Sequence, residues 1–458
     1  LEVNQGLRAF LSDLEAKAPD DLLHVREEVE GDYDIAAIID GLERRGRYPV
    51  LWFERVRGAE MPLVTNLFAD RRRYAAALGV PVDALHAEWV ARGERRIAPR
   101  LVRSGPVQDV VIRGDQVDLG RLPIIRHFAE DAGPYVTNGI VVAKDPDTGV
   151  RNASFHRMQL RGRNRFGTSL HSRRHLWDYA RRADERGEPL PVAVVIGAHP
   201  LFHFGAGLWK GPIDVDEYEA AGGFFGEPLE IVEGVTVPVE SPAHAEIVLE
   251  GRILPGVREP EGPFAEFTGY ASERSTQHVF EVTAILRRKD AVYHDVAAGI
   301  SAEHTELLAV PQEARMLRVL RANFPTVKAV SFPHSGTCRL HCYISMKVAA
   351  EGQAKNAALA ALGDDLALKL VVVVDEDVDV YREQEVLWAI ATRMQADRDV
   401  TIIANAMGAI LDPSTRAGTT AKMVIDATRP VGGFARRHTL PEDAVARAAD
   451  LIARLGRE

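Results

Sequence analysis

Glu261 and Glu266 lie five residues apart in Glu-Gly-Pro-Phe-Ala-Glu-Phe-Thr-Gly-Tyr, residues 261–270. Gly262-Pro263 and Gly269 predict a constrained loop rather than a helix or a solvated charged face. Phe264, Phe267 and Tyr270 surround the carboxylates with apolar groups. Burial among aromatics disfavours the charged form of a carboxyl group and raises its pKa. Proton-transfer catalysis near neutral pH needs such a group. The same stretch also reads as a turn with two ordinary surface glutamates, and the segment alone does not separate the readings.

A second concentration of ligand-type side chains is Asn152, Ser154, His156 and Arg157 in Asn-Ala-Ser-Phe-His-Arg, with His175 opening a helix and Glu217 in Asp-Val-Asp-Glu-Tyr-Glu. Strand alternation places Asn152, Ser154 and His156 on one face and Arg157 on the other. A bulge or sharp twist is needed if all four serve one site. A polar face turned to water is the competing reading. The glycine-rich stretch 203–211, after a buried strand, predicts a loop able to bring backbone amides near a phosphate, although it matches neither the P-loop nor the dinucleotide fingerprint.

Other clusters carry less. The acidic run 375–379 reads as the solvated end of a strand rather than a metal cluster. Cys338 and Cys342 lack a second pair and read as structural thiols in a strand. Gly-x-Ser-x-Gly, His-Glu-x-x-His and Cys-x-x-Cys are absent from the sequence, so serine hydrolase, zincin and dithiol chemistry lack their usual signs.

The elements that must position these groups fall into three blocks: 1–105, 106–305 and 306–458. The first is mixed α/β: a helix with Leu7, Phe10, Leu11 and Leu14 at helical spacing, a second over 34–45, strands at 48–56 and 63–68, and helices at 71–78 and 83–92. The middle block is strand-rich, with a hairpin across 139–162, strands at 166–171, 191–197, 235–237, 245–253, 277–287 and 292–296, and one helix over 175–186. That pattern predicts a barrel-like β domain. The last block alternates helices (311–324, 353–362, 383–394) with strands (327–332, 339–346, 366–374, 400–404), as in a layered sheet. It ends in a helix over 441–455 whose Val445, Ala448, Leu451 and Ile452 form one stripe, for a core or a subunit interface.

The 458 residues carry 56 Lys plus Arg against 66 Asp plus Glu, a formal charge of −10. No basic tract with interleaved aromatics points to nucleic acid. No apolar run reaches the length of a membrane span, and residues 1–16 lack a signal-peptide layout. The expectation is a cytoplasmic enzyme with neither nucleic-acid nor membrane partners.

Taken in order, residues 152–157, His175, Glu217 and the Glu261…Glu266 loop resemble the active-site series of the UbiD-like family, reversible non-oxidative decarboxylases that use prenylated flavin mononucleotide. Segments 191–197, 246–251, 386–393 and 421–428 agree, so the similarity covers nearly the whole chain. The resemblance implies an N-terminal α/β domain, a central split-barrel flavin-binding domain and a C-terminal α/β domain that dimerises. It implies that Asn152, His175 and Glu217 bind manganese or magnesium beside the flavin phosphate. It places Ser154, Phe155, Arg157 and Lys355 against the cofactor, and makes Arg157, Glu261 and Glu266 the acid–base network. The implied reaction is decarboxylation of an aromatic, heteroaromatic or α,β-unsaturated acid through a covalent flavin adduct, with Glu266 protonating the carbon after CO2 departs. A homodimer or higher homo-oligomer and a separate flavin prenyltransferase as cofactor supplier are implied as partners.

Two departures from the pattern stand out. Where some relatives coordinate potassium, this chain has Gly-Ala-Gly-Leu-Trp-Lys, so a potassium ion here relies on backbone carbonyls, or Lys210 replaces its charge. Ala409, in 407–411, stands where some cinnamate-type members hold a bulky aromatic, which predicts a roomier pocket. His304 and Glu306 are expected to reach the pocket and recognise a second polar group. Two alternatives from other classes are a non-catalytic flavin-binding subunit of a multi-subunit carboxylase and a split-barrel flavin reductase. The intact acid–base set argues against the first, and the missing nicotinamide fingerprint against the second.

Overall fold

A computed structural model describes residues 4–170 and 175–455. The predicted strand end at His171 lies outside the described residues. The first block has the expected helix Leu7–Lys17, burying Leu7, Phe10, Leu11 and Leu14. It also has a strand, Leu22–Val29, that the sequence reading lacked and that pairs in parallel with Val50–Val56. Its Arg-Glu-Glu centre is exposed on both faces, so it carries no alternation to detect. The sheet continues through Leu63–Thr65 and is completed by Tyr293–His294. The strand expected near 292–296 thus belongs to the first sheet, not to the barrel.

The central block is a nine-stranded sheet. Its backbone is the buried strand Leu190–Ile196, flanked by Ile140–Lys144 and by Ile247–Glu261. Ile247–Glu261 pairs with Ser275–Arg287, and the register between them shifts twice. Such shifts bend a sheet, and here they curl it into a half-barrel. One edge is Arg151–Phe155 and the other is Tyr135–Val136, next to Met158–Leu160. The chain therefore crosses the open seam of the barrel twice, at 137–139 and at 156–157. That crossing answers the alternation problem. The strand ends at Phe155, so Arg157 sits in the seam and is not bound to the face of Asn152 and Ser154.

Three expectations for this block need correction. The 203–211 stretch is a wide, π-helical turn, His203–Leu208, rather than a loop. Its glycines serve close packing: a Cβ on Gly205 would lie 2.4 Å from the Ala221 Cα, and one on Gly207 2.5 Å from the Phe155 ring. Residues 235–237 form no strand, because the Glu250 carboxylate accepts hydrogen bonds from the Val235 and Thr236 amides (2.7 and 2.6 Å). Glu261 is the last residue of a strand rather than part of the loop that follows.

The last block is a five-stranded sheet, Val327–Ser331, His341–Met346, Leu370–Asp375, Thr419–Ala427 and Val400–Met407 in spatial order. Its first helix, Ala302–Asn323, contains Pro311 within it. Reading Pro311 as a helix start placed that helix nine residues late, and the expected 305/306 boundary falls inside it. The acidic run is no solvated strand end: Asp375 and Asp377 hold Arg393 at 2.5 and 2.9 Å. Both cysteines are buried and free; Cys338 precedes the strand that contains Cys342. Val445, Leu451 and Ile452 on the helix Glu442–Leu455 are exposed. Among the described residues, no helix is long and apolar enough to cross a membrane.

Candidate active site

Arg157 emerges from the seam between two carboxylates. Its Nε and Nη2 donate to the two oxygens of Glu261, each at 3.0 Å, and Nη1 donates to Glu266. Glu261 is fully buried and Glu266 nearly so. The guanidinium also lies 5.0 Å from the centre of the Phe264 ring. Burial raises the Glu266 pKa above its ordinary value; Arg157 works against that rise and the Glu261 charge adds to it. Burial opposes the Arg157 charge, yet the two carboxylates outweigh it and raise its pKa further. The result is one well-anchored carboxylate and one that holds its proton more tightly, joined by a fixed cation.

The loop that carries Glu266 is braced by a residue the sequence reading missed. Asp131 accepts from the Ala265 amide at 2.8 Å and from the Phe128 amide at 2.9 Å. Tyr135 packs on Phe264 with ring centres 4.6 Å apart, and its hydroxyl donates to the Pro263 carbonyl at 3.4 Å. Neither residue stands in a recognisable motif. The signal lies in long-range packing.

The second cluster forms on the barrel edge. Asn152 Nδ2 donates to Glu217 Oε1 at 2.9 Å, the Ala153 amide to Glu217 Oε2 at 3.2 Å, and His175 Nδ1 lies 3.9 Å from Oε1. Glu217 opens the helix Glu217–Phe225, where the axial dipole favours an acid. Burial still pushes its pKa up to about 8. Amide oxygen, imidazole and carboxylate together suit a divalent cation whose remaining positions go to phosphate and water. Ser154 Oγ lies 3.3 Å from Asn152 Oδ1 and 2.9 Å from His156 Nε2, tying this cluster to the seam.

Arg157 and Glu266 border a cavity of about 1230 Å³, and Ser154 reaches it from the barrel edge, whereas Asn152 and Glu217 do not line it; the cavity is larger than most small-molecule pockets. Ser154, Phe155, Arg157, Glu266 and Lys210 line it, as do His304 and Ala409 from the last block. Burial lowers the His304 pKa to about 4, and Nδ1 faces the Gly299 carbonyl at 2.9 Å. Glu306 is not on the wall: it pairs with Arg71 at 3.0 Å, in a network in which Arg71 also binds Glu313. Lys355 is half-buried on the helix Gln353–Asp364 and does not line the cavity. Arg315, Arg318 and Arg339 do, and the sequence reading missed them, since scattered arginines form no motif.

The chain matches the three domains described for 3-octaprenyl-4-hydroxybenzoate carboxy-lyase: the N-terminal domain over 13–93, the Rift-related domain over 100–301 and the C-terminal domain over 305–427. It is 38% identical over 431 residues to anhydromevalonate phosphate decarboxylase of Methanothermobacter thermautotrophicus, covering 93% of this chain and 97% of that one. The UbiD-class enzyme HmfF from Pelotomaculum thermopropionicum, solved in complex with FMN, superposes with a TM-score of 0.92 at 43% identity, covering 97% of this chain and 99% of that one. An evolved dimeric form of the same enzyme, in complex with prFMN, superposes at 0.87 with 41% identity, covering 96% and 98%. The 3,4-dihydroxybenzoic acid decarboxylase of Klebsiella pneumoniae superposes at 0.91 with 28% identity, covering 97% and 99%.

Proposed function

Because the chain belongs to the UbiD family of carboxy-lyases, we propose that it decarboxylates an aromatic, heteroaromatic or α,β-unsaturated acid reversibly and without net oxidation, with Glu266 as the proton donor. The observation that carries this reading is the guanidinium of Arg157 shared between Glu261 and Glu266 at the wall of the cavity. Prenylated flavin, when bound, supplies the sink for the electron pair of the breaking carbon–carbon bond. The chain does the rest. Arg157 fixes both carboxylates in place, and Glu261, held by two hydrogen bonds, keeps the guanidinium oriented. Phe264 and Phe267 keep water from the proton donor. After CO2 leaves, Glu266 delivers its proton to the carbon; in the carboxylating direction its carboxylate takes that proton back.

Asn152, His175 and Glu217 would hold manganese or magnesium beside the flavin phosphate. The fit rests on Glu217, whose buried carboxylate meets, among the described residues, the Asn152 amide and the Ala153 N–H at hydrogen-bond distance and the imidazole at 3.9 Å. Ser154 and Phe155 would contact the cofactor from the cavity wall. The exposed Val445, Leu451 and Ile452 support a homo-oligomeric contact through the terminal helix.

The test is CO2 release from a panel of aromatic, heteroaromatic and α,β-unsaturated acids, using protein produced alongside a flavin prenyltransferase. Turnover of at least one acid that depends on the modified flavin is expected. Bleaching of bound flavin by NAD(P)H with no CO2 release would replace this reading with a reductase.

A further inference from the structure

The seam brings a second residue to the cavity beside Arg157. The strand Tyr135–Val136 pairs with Met158–Leu160, and the last pair of that ladder is Val136 with Met158. The next residues outward are Thr137 and Arg157, one on each crossing of the seam, and both line the cavity. Arg157 is held from behind by the buried Glu261. Thr137 is held from behind by another buried carboxylate: its hydroxyl donates to Asp295 Oδ1 at 2.8 Å.

Asp295 follows the strand Tyr293–His294, and its second oxygen meets His127 Nε2 at 3.0 Å and the Thr65 hydroxyl at 3.4 Å. Burial disfavours the cation of His127, but the Asp295 charge outweighs it and raises the imidazole pKa. A carboxylate accepts hydrogen bonds and donates none, so the proton between Thr137 and Asp295 belongs to Thr137. The segment after Asp295 is pinned as well. The Ala297 amide donates at 2.8 Å to buried Glu303, which also accepts from the Asn66 and Phe68 amides at 2.8 and 3.0 Å. Between these anchors the Val296 amide donates to Thr137 Oγ1 at 3.2 Å.

A hydroxyl has one proton and two lone pairs. At Thr137 the proton goes to Asp295 and one lone pair to the Val296 amide, and among the described residues the hydroxyl makes no other hydrogen bond. One lone pair is left, on a residue of the cavity wall. We propose that Thr137 is a specificity-determining residue: it accepts a hydrogen bond from an N–H or O–H of the molecule bound beside Arg157 and, with its own proton held by Asp295, offers nothing to an acceptor there. The inference rests on the decarboxylase reading for the occupants of the cavity, so the donor belongs to the flavin or to the acid. Thr137 then selects the polarity of a group and not only its size.

Thr137→Val removes the acceptor at nearly constant shape, and Thr137→Ser restores it. Two binding measurements on the wild type and these variants decide the question. One is the Kd of FMN for flavin-free protein in manganese. The other is the Kd, on flavin-loaded protein, of unreactive 3-phenylpropanoates with a hydroxyl or a fluorine placed ortho, meta or para. If the flavin supplies the donor, Thr137→Val weakens FMN binding by at least about fivefold, the scale of one neutral hydrogen bond, while Thr137→Ser stays near the wild type. If the acid supplies it, FMN binding is unchanged. The wild type then prefers hydroxyl over fluorine at one ring position by at least about fivefold, a preference lost in Thr137→Val and kept in Thr137→Ser. Unchanged FMN affinity with no hydroxyl preference, or equal losses in the two variants, overturns the inference. Thr137→Ala repeats the comparison if Thr137→Val fails to fold. Neither measurement needs turnover. If one of them succeeds while no acid releases CO2, Thr137 keeps its role and the decarboxylase reading falls. If acids react and both measurements fail, the inference falls alone.

Discussion

Two buried carboxylate clusters flank one short segment, residues 152–157, and they are balanced in opposite ways. At the seam, Glu261 meets a guanidinium through two hydrogen bonds. At the barrel edge, Glu217 meets an amide, a backbone N–H and a distant imidazole, and burial pushes its pKa up to about 8. Among the described residues, the first cluster carries its own guanidinium counterion and the second has the imidazole 3.9 Å away. The first can hold and deliver a proton with the chain's own groups. The second becomes anionic at little cost only when a cation arrives from outside.

The largest expected effect follows from that asymmetry. Arg157→Ala leaves Glu261 buried without its counterion and should cost about 3–5 kcal/mol of stability, measured by urea unfolding. Glu217→Gln in metal-free protein should change stability by less than about 1 kcal/mol, since among the described residues its hydrogen-bond partners are a side-chain amide and a backbone N–H. Manganese should raise the melting temperature of the wild type and not of Glu217→Gln. Equal losses in the two variants would erase the distinction between the clusters.

A smaller effect is expected at the metal side. His175→Ala should lower manganese and flavin occupancy together, read by metal analysis and flavin absorbance, because the phosphate loses its counterion. Full occupancy of both would remove His175 from the site. Beyond both clusters, Ala409→Phe should penalise bicyclic acids by about 1–3 kcal/mol more than single-ring acids, through overpacking at the cavity wall. Equal loss across sizes would show that Ala409 does not limit the pocket.

The smallest effect concerns pH. A raised carboxyl pKa keeps the proton to higher pH, so decarboxylation should be full below the Glu266 pKa and fall as pH rises through it. The negative charge of Glu261 contributes to that rise. Glu261→Gln should therefore move the alkaline limb of the kcat profile to lower pH. A shift to higher pH would contradict the assignment of the donor.

The parts legible in the sequence were those with local causes. Gly262-Pro263 and the aromatics around Glu266 marked a stiff, apolar loop, and the turn 145–149 marked the hairpin Ile140–Lys144 with Arg151–Phe155, although its second strand ends at Phe155 and not at Gly162 as expected. The place of Arg157 was not legible, because period-two alternation ends where the strand ends, and only the barrel topology sets that end. Pro311 misled because it reads locally as a helix start, whereas the helix already runs from Ala302. Glu306 looked like a pocket residue beside His304. Two positions along a helix face another direction, toward Arg71. Asp131 and Tyr135 act through contacts with residues more than a hundred positions away, and the cavity arginines are gathered from separate elements, so no window of sequence contains them.

Glu266→Gln on the flavin-loaded, metal-loaded enzyme tests the central claim most directly. The substitution keeps shape and hydrogen bonding and removes the transferable proton. Flavin and metal occupancy should stay at the parental level, while steady CO2 release falls by at least about a hundredfold, the scale of losing a positioned general acid. Turnover at the parental rate with both occupancies intact would place the proton donor elsewhere.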